Sequence, residues 1–224
     1  MLIIVSEKSK FGKDGGYVEY IKDGKKFREE LINAKVLNKN LNFEFLNPVQ
    51  TVFYKFYKFG SALVATPTSS GKTICALYFI QKHKGFNVYT VPTKSLANEI
   101  YKFFKKIFHK VDLRTGDIIE EAYEISSNLV ICTYESLLLS IRNKGWGYNA
   151  RALVIDEIHF VFSNRGIAIE EVVGFMKGKV DILGLSATLP RFLEIADWIS
   201  AELIIKSEFR PVPIIRYQEN LNLD

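Results

Sequence analysis

Two short stretches hold residues whose types and spacing could do chemistry together. The first is Thr66-Pro67-Thr68-Ser69-Ser70-Gly71-Lys72-Thr73. A turn of small residues lets backbone N–H groups close around phosphate oxygens. Lys72 can reach the β and γ phosphates of a nucleotide, and the Thr73 hydroxyl can sit on Mg²⁺. The second is Arg151-Ala152-Leu153-Val154-Ile155-Asp156-Glu157-Ile158-His159. Its apolar run delivers Asp156, a carboxylate able to hold Mg²⁺ beside Thr73. Glu157, next along, is spaced to polarise the water that attacks a γ-phosphate. One stretch thus offers phosphate binding and metal, the other metal and water. The first departs from the full phosphate-loop pattern, which asks for Gly where Thr66 stands. Each stretch alone has a plainer reading, a strand-to-helix turn capped by Thr68 or Ser69 and a helix N-cap made by two acids.

The flanks are what such a loop requires. Residues 61–65 read as a buried strand and residues 74–80 as a helix packed on a sheet. Such a helix turns its positive end toward the anion. From Pro48 onward strands and helices alternate. Residues 48–57 read as a helix, with Pro48 in its first turn and Gly60 stopping it. Strands are expected at 87–91, 111–114, 129–132, 152–155, 180–185 and 203–205. Helices are expected at 94–108, 134–142, 167–176 and 192–199. Continuous apolar strands alternating with helices predict an α/β fold, a mostly parallel central sheet with helices on both faces. Ligands of such sheets bind at the carboxyl ends of the strands.

Residues 1–45 read differently. Segments 2–5 and 17–21 are strand-like, with turns at Gly15-Gly16 and at Lys22-Asp23-Gly24-Lys25, which predicts a small antiparallel β-rich piece laid against the main domain. The 224 residues divide on this reading into that piece, a nucleotide-binding domain over 46–206, and a linker over 207–224.

Nearly half the residues are apolar and a quarter are charged, a globular composition with net charge +5, which suits a polyanionic partner. No apolar run approaches the roughly 20 residues that span a bilayer, and residues 1–5 are too short for a signal-peptide core. Neither a membrane nor secretion is therefore expected. Cys75 and Cys132 fall on a helix and a strand and read as small core residues, which fits a reducing, cytoplasmic setting. His83, His109 and His159 are scattered, without metal-ligand spacing.

Several further motifs complete a pattern. Asp156-Glu157-Ile158-His159 resembles the DExH box of superfamily 2 helicases, and the chain is similar to the first RecA-like lobe of such an enzyme over about residues 46–217. Gln50, within Asn47-Pro48-Val49-Gln50, resembles the family glutamine that reads the adenine edge. Ser186-Ala187-Thr188 resembles the motif that couples hydrolysis to strand movement, with His159 a candidate link between them. Pro92-Thr93-Lys94-Ser95-Leu96-Ala97, Thr115-Gly116-Asp117 and Thr133-Tyr134-Glu135-Ser136 resemble motifs that touch the nucleic-acid backbone. Asn164-Arg165-Gly166 with Glu170, and Phe209-Arg210-Pro211-Val212-Pro213, resemble the superkiller-type (Ski-type) branch, which includes archaeal DNA-repair helicases and exosome-linked RNA helicases.

The resemblance implies an ATP-dependent translocase that uses ATP and Mg²⁺ on single-stranded or partly duplex nucleic acid, DNA favoured over RNA. Its nucleotide-binding residues would be Gln50, Thr68, Ser69, Ser70, Gly71, Lys72 and Thr73, with Thr73 and Asp156 on the metal. Lys72, Asp156 and Glu157 would be catalytic, and His159, Ser186 and Thr188 coupling residues. A motor that grips any sequence holds phosphates and sugars rather than base edges. The candidates for that grip are Thr93, Lys94, Arg114, Thr115, Gly116 and Thr133, several of which also read as helix caps. The lysines of residues 101–110 read as a solvated helix face, and the aromatics from Phe53 to Phe59 as core. The resemblance also implies a second lobe carrying arginines, so that this chain alone is expected to bind ATP weakly and to lack unwinding. A non-helicase phosphate-loop ATPase or kinase, and a catalytically silent nucleic-acid-binding domain, are the competing readings. The first lacks an arginine-rich lid, and the second leaves Lys72, Thr73, Asp156 and Glu157 unused.

Overall fold

A computed structural model of the chain describes residues 1–67, 70–116, 128–164, 166–187 and 190–210. Thr68, Ser69, Asp117, Arg165, Thr188 and Pro211-Val212-Pro213 lie outside the described residues.

In chain order the strands are β1 (Leu2–Val5), β2 (Lys10–Gly12), β3 (Gly15–Lys22), β4 (Lys25–Glu30), β5 (Ala62–Ala65), β6 (Asn87–Val91), β7 (Val111–Arg114), β8 (Leu129–Thr133), β9 (Ala152–Ile155), β10 (Asp181–Ser186) and β11 (Leu203–Ser207). The α-helices are α1 (Pro48–Phe56), α2 (Lys72–Lys82), α3 (Lys94–Lys105), α4 (Tyr134–Arg142), α5 (Gly166–Met176) and α6 (Phe192–Trp198). All these strands join one sheet in the order β2-β3-β1-β11-β5-β10-β9-β6-β8-β7, with β4 on β3. Every pairing from β1–β11 through to β8–β7 is parallel. The α/β fold with a mostly parallel sheet and helices on both faces is therefore as the alternation of apolar runs predicts.

The short strands β5 and β9 are buried at every position, which a parallel sheet covered on both sides demands. Their residues alternate between two cores, as the two-residue period of a strand dictates. Ala62, Val64, Ala152 and Val154 face the core built with Phe53, Leu77, Phe79 and Phe104 from α1, α2 and α3. Leu63, Ala65, Leu153 and Ile155 face the core built with Leu137, Val173 and Ile195 from α4, α5 and α6. Cys75 and Cys132 are free thiols buried in these cores. Burial pushes the Cys75 thiol up to about 12 and the Cys132 thiol well above its usual range, so both pack as apolar groups.

The N-terminal segment enters this sheet. β1 pairs in parallel with β11, Leu2 opposite Ile204 through Val5 opposite Ser207. β3 then pairs antiparallel with β1, β2 and β4. Gly16 lies at the β2–β3 contact, where a Cβ would stand 2.1 Å from the Lys10 carbonyl oxygen. Among the described residues no helix is long and apolar enough to cross a membrane.

Candidate functional site

The parallel register brings the carboxyl ends of the strands level. Ala65 at the end of β5 is opposite Ser186 at the end of β10. The Thr66 N–H then donates to the Ser186 carbonyl (3.0 Å). Ile155 at the end of β9 is opposite both Gly184 and Thr90, and the Asp156 N–H donates to the Thr90 carbonyl (2.9 Å). The loop after β5 and the acids after β9 thus lie on one rim, separated by the width of β10 alone.

The loop is held from two sides. Asn47 and Gln50 form a capping box at the start of α1, with Pro48 in the first turn. The same two amides reach across to the loop. Asn47 Nδ2 donates to the Ser70 carbonyl (2.8 Å), and Gln50 Nε2 donates to the Gly71 carbonyl (3.0 Å). Gly71 adopts φ 73°, and a Cβ there would stand 2.4 Å from Gln50 Nε2. The left-handed backbone favours glycine here, and a Cβ would have to displace the Gln50 amide from the loop. Thr66, in the place of the pattern's glycine, is fully buried and its hydroxyl is hydrogen-bonded to that of Ser70. It closes the loop with a side chain rather than leaving it open. Lys72 opens α2, is largely buried, and donates through Nζ to the Thr66 and Pro67 carbonyls (3.3 Å each).

Asp156 is buried at the end of β9. Its Oδ2 accepts from the Tyr89 hydroxyl (2.8 Å) and its Oδ1 from the Glu157 N–H (2.9 Å). The Tyr134 hydroxyl donates to its main-chain carbonyl. Burial raises the Asp156 carboxyl to about 6, against the pull of the Tyr89 hydrogen bond and of the Lys72 charge. Burial, and then the neighbouring Asp156, hold the Tyr89 phenol well above its usual pKa, against a smaller opposing pull from the nearby Thr73 hydroxyl. The Lys72 charge thus acts on Asp156, and Thr73 neighbours the Tyr89 phenol that holds it.

Glu157 follows in the left-handed region, at φ 51°. Such a conformation is uncommon for a non-glycine residue and is held only where its surroundings fix it. Its Oε2 lies 3.2 Å from His159 Nδ1, yet both atoms are buried without a hydrogen-bond partner in acceptable geometry. Burial and the Lys72 charge hold the His159 imidazole below its ordinary pKa. A short helical turn, Ile158–Phe162, carries His159 with its ring stacked on Phe160. Ser186 is fully buried, its hydroxyl donating to the Ala187 carbonyl (2.8 Å).

The other half of the rim is made by β6, β8 and β7, which are consecutive in the sheet. Thr93 follows β6 and N-caps α3, its hydroxyl accepting from the Leu96 N–H (3.2 Å). Thr133 ends β8 and N-caps α4, accepting from the Ser136 N–H (3.3 Å). Arg114 ends β7, with Thr115 and Gly116 next, and is 4.0 Å from Asp112. Lys94 is exposed at the first turn of α3. The six candidates for gripping a strand thus share one half-rim. On α3, Ala97, Ile100 and Phe104 are buried and Lys102, Lys105 and Lys106 exposed, as helical spacing predicts. Phe53 and Tyr57 are core, whereas Phe59 is 64% exposed.

The family model of the DEAD/DEAH box helicases matches residues 47–196. The chain belongs to the DEAD/DEAH box helicase family. It is 39% identical over 166 residues to the ATP-dependent DNA helicase Hel308 of Pyrococcus horikoshii, covering 70% of this chain and 23% of that protein. It is 37% identical over 172 residues to the human superkiller complex protein 2, covering 70% of this chain and 13% of that one. These relatives lie in the superkiller-type group that the motifs point to. The chain spans less than a quarter of the length of either. In fold it is similar to the helicase domain of Pyrococcus furiosus Hef, with a TM-score of 0.61 at 20% identity over 84% of this chain and 43% of that one.

In this helicase domain three site neighbours escape a motif search. Asn47 was legible as a cap, since Asn-Pro-x-Gln is a capping-box signal with proline at its first helical position. Its second role, on the Ser70 carbonyl, was not. Tyr89, in the middle of β6, and Tyr134, which opens α4, are fully buried tyrosines, and a buried phenol needs a partner. The sequence carries no mark that both would find Asp156.

Proposed function

We propose that this domain is the ATP-binding lobe of a nucleic-acid translocase. It would hydrolyse ATP to move along single-stranded or partly duplex nucleic acid, DNA ahead of RNA, in concert with a second lobe. The observation that carries this reading is the single cluster in which the Tyr89 phenol donates to Asp156, the Lys72 charge acts on the same carboxylate, and Thr73 neighbours the phenol. Two motifs 80 residues apart would have no structural need to converge on one buried polar cluster unless they served one ligand.

The donor set suits magnesium. Thr73 and Asp156 offer the hydroxyl and carboxylate oxygens a hard cation takes. The unpartnered Glu157 Oε2 and His159 Nδ1 suit water or a phosphate edge that they could hydrogen-bond. When bound with nucleotide, Mg²⁺ would draw charge from the β and γ phosphates. Lys72 would exchange the Thr66 and Pro67 carbonyls for phosphate oxygens. The N–H groups opening α2 would face the same anion. Glu157, held by its left-handed backbone, would accept a hydrogen bond from the attacking water and orient it. Thr93, Thr133, Arg114 and their neighbours would grip the strand's phosphates along the adjoining half-rim. DNA is placed ahead of RNA because the relative at 39% identity is named a DNA helicase. The small share of each relative that the chain spans supports a motor completed by a further lobe.

The test is ATPase activity of the full-length protein with single-stranded DNA, with RNA of the same sequence, and with neither. Stimulation by a strand, larger for DNA, is expected. A rate indifferent to both would remove the translocase reading.

A further inference from the structure

We propose that Tyr89 is a positioning residue for the metal site, its phenol fixing the plane and aim of the Asp156 carboxylate. This rests on the nucleotide-site reading above and goes beyond it, since none of the motifs includes this tyrosine.

Tyr89 is fully buried on β6, its ring packed 5.6 Å from that of Phe104 on α3. The strand and that contact fix the ring, so the hydroxyl has little freedom. It donates to Asp156 Oδ2 at 2.8 Å. The other carboxylate oxygen, Oδ1, accepts from the Glu157 N–H. Each oxygen of Asp156 thus has one committed donor, which sets the plane of the carboxylate and leaves one lone-pair direction on each for another partner. A phenol committed to one oxygen of Asp156 holds the carboxylate in place before a metal arrives. Outer partners of this kind tune metal affinity by about 10- to 100-fold. Phenylalanine would fill the same space and remove only this function.

The experiment titrates Mg²⁺ into the full-length protein and follows equilibrium binding of a fluorescent ATP analogue, with a thermal melt of each variant. For Tyr89→Phe the Mg²⁺ concentration at half-maximal binding should rise about 10-fold, while binding without Mg²⁺ changes less than about 2-fold. Replacing Tyr89 by para-aminophenylalanine, which keeps a donor at the same position, should restore the midpoint. In an Asp156→Asn background Tyr89→Phe should add little further, because the two act as one unit. A lower melting temperature with an unchanged Mg²⁺ midpoint would make Tyr89 merely structural and overturn the proposal, as would full additivity with Asp156→Asn. If Asp156→Asn itself left the midpoint unchanged, the metal assignment beneath would fall, and the proposal with it.

Discussion

At the scale of single residues, the proposed function divides the work between Lys72 and Glu157, and their substitutions should divide the kinetics. Lys72→Ala removes the charge proposed to reach the phosphates, so ATP binding should fall at least 10-fold and turnover vanish. Glu157→Gln keeps the shape and loses the basic oxygen, so ATP should still bind while turnover falls about 100-fold or more, within the range of general-base contributions. Equal turnover in Glu157→Gln would strip that residue of its role. Asp156 adds a pH signature. Its carboxyl is raised to about 6 by burial, above its value in an unfolded chain. A carboxyl raised on folding makes the folded state hold its proton more tightly, so ionisation costs stability at pH above 6 and the cost is relieved as pH falls. Between pH 7.5 and 5 the nucleotide-free wild type should gain about 1 kcal/mol relative to Asp156→Asn, measured by denaturant unfolding. A difference that does not change with pH would contradict the burial of an ionised Asp156. These residues were legible because phosphate and magnesium demand particular side chains at particular spacings. Tyr89 and Tyr134 were not, because a buried tyrosine in an apolar strand or at a helix start announces only that its hydroxyl has some partner.

At the scale of elements, α1 does more than cover the sheet. Its capping box spends the Asn47 and Gln50 side chains twice, once on their own helix start and once on the carbonyls of Ser70 and Gly71. The helix thereby sets the height of the loop above the rim. Gly71→Ala places a methyl group 2.4 Å from Gln50 Nε2 at a left-handed φ, so it should displace the glutamine and weaken nucleotide binding by about 10-fold, an expectation of roughly 1.4 kcal/mol. A fluorescent-nucleotide titration with unchanged affinity would show that the clamp is dispensable. Element positions from α1 to β11 follow the sequence closely, since each apolar run is bounded by a cap, a glycine or a polar turn. Ends drift where no such signal stands. α3 stops at Lys105 rather than 108, and β11 runs to Ser207 rather than 205. β2 and β4 were unmarked, because exposed charged strands such as Lys25–Glu30 show no hydrophobic period.

At the scale of the whole molecule, the N-terminal strands protect the sheet. Segments 2–5 and 17–21 were readable as strands, but a four-residue apolar run does not name its neighbour, and β1 finds β11 across some 200 residues. Ile3, Val5, Val18 and Tyr20 are all buried there, each worth about 1.5–3 kcal/mol. Removing residues 1–31 would uncover these contacts and leave β11 as an open edge. The melting temperature should fall by more than about 10 °C, with aggregation. A truncated domain that melts normally would reduce these strands to decoration. On the proposed function the rim divides into a nucleotide half on β5, β10 and β9 and a strand-gripping half on β6, β8 and β7, which meet where the Asp156 N–H donates to the Thr90 carbonyl. The most direct test is a crystal structure of the protein with Mg²⁺ and a non-hydrolysable ATP analogue. One magnesium should lie within direct or single-water reach of both Thr73 and Asp156, with Lys72 on the terminal phosphates. Nucleotide bound elsewhere, or a metal that touches one of the two residues and not the other, would contradict the shared site.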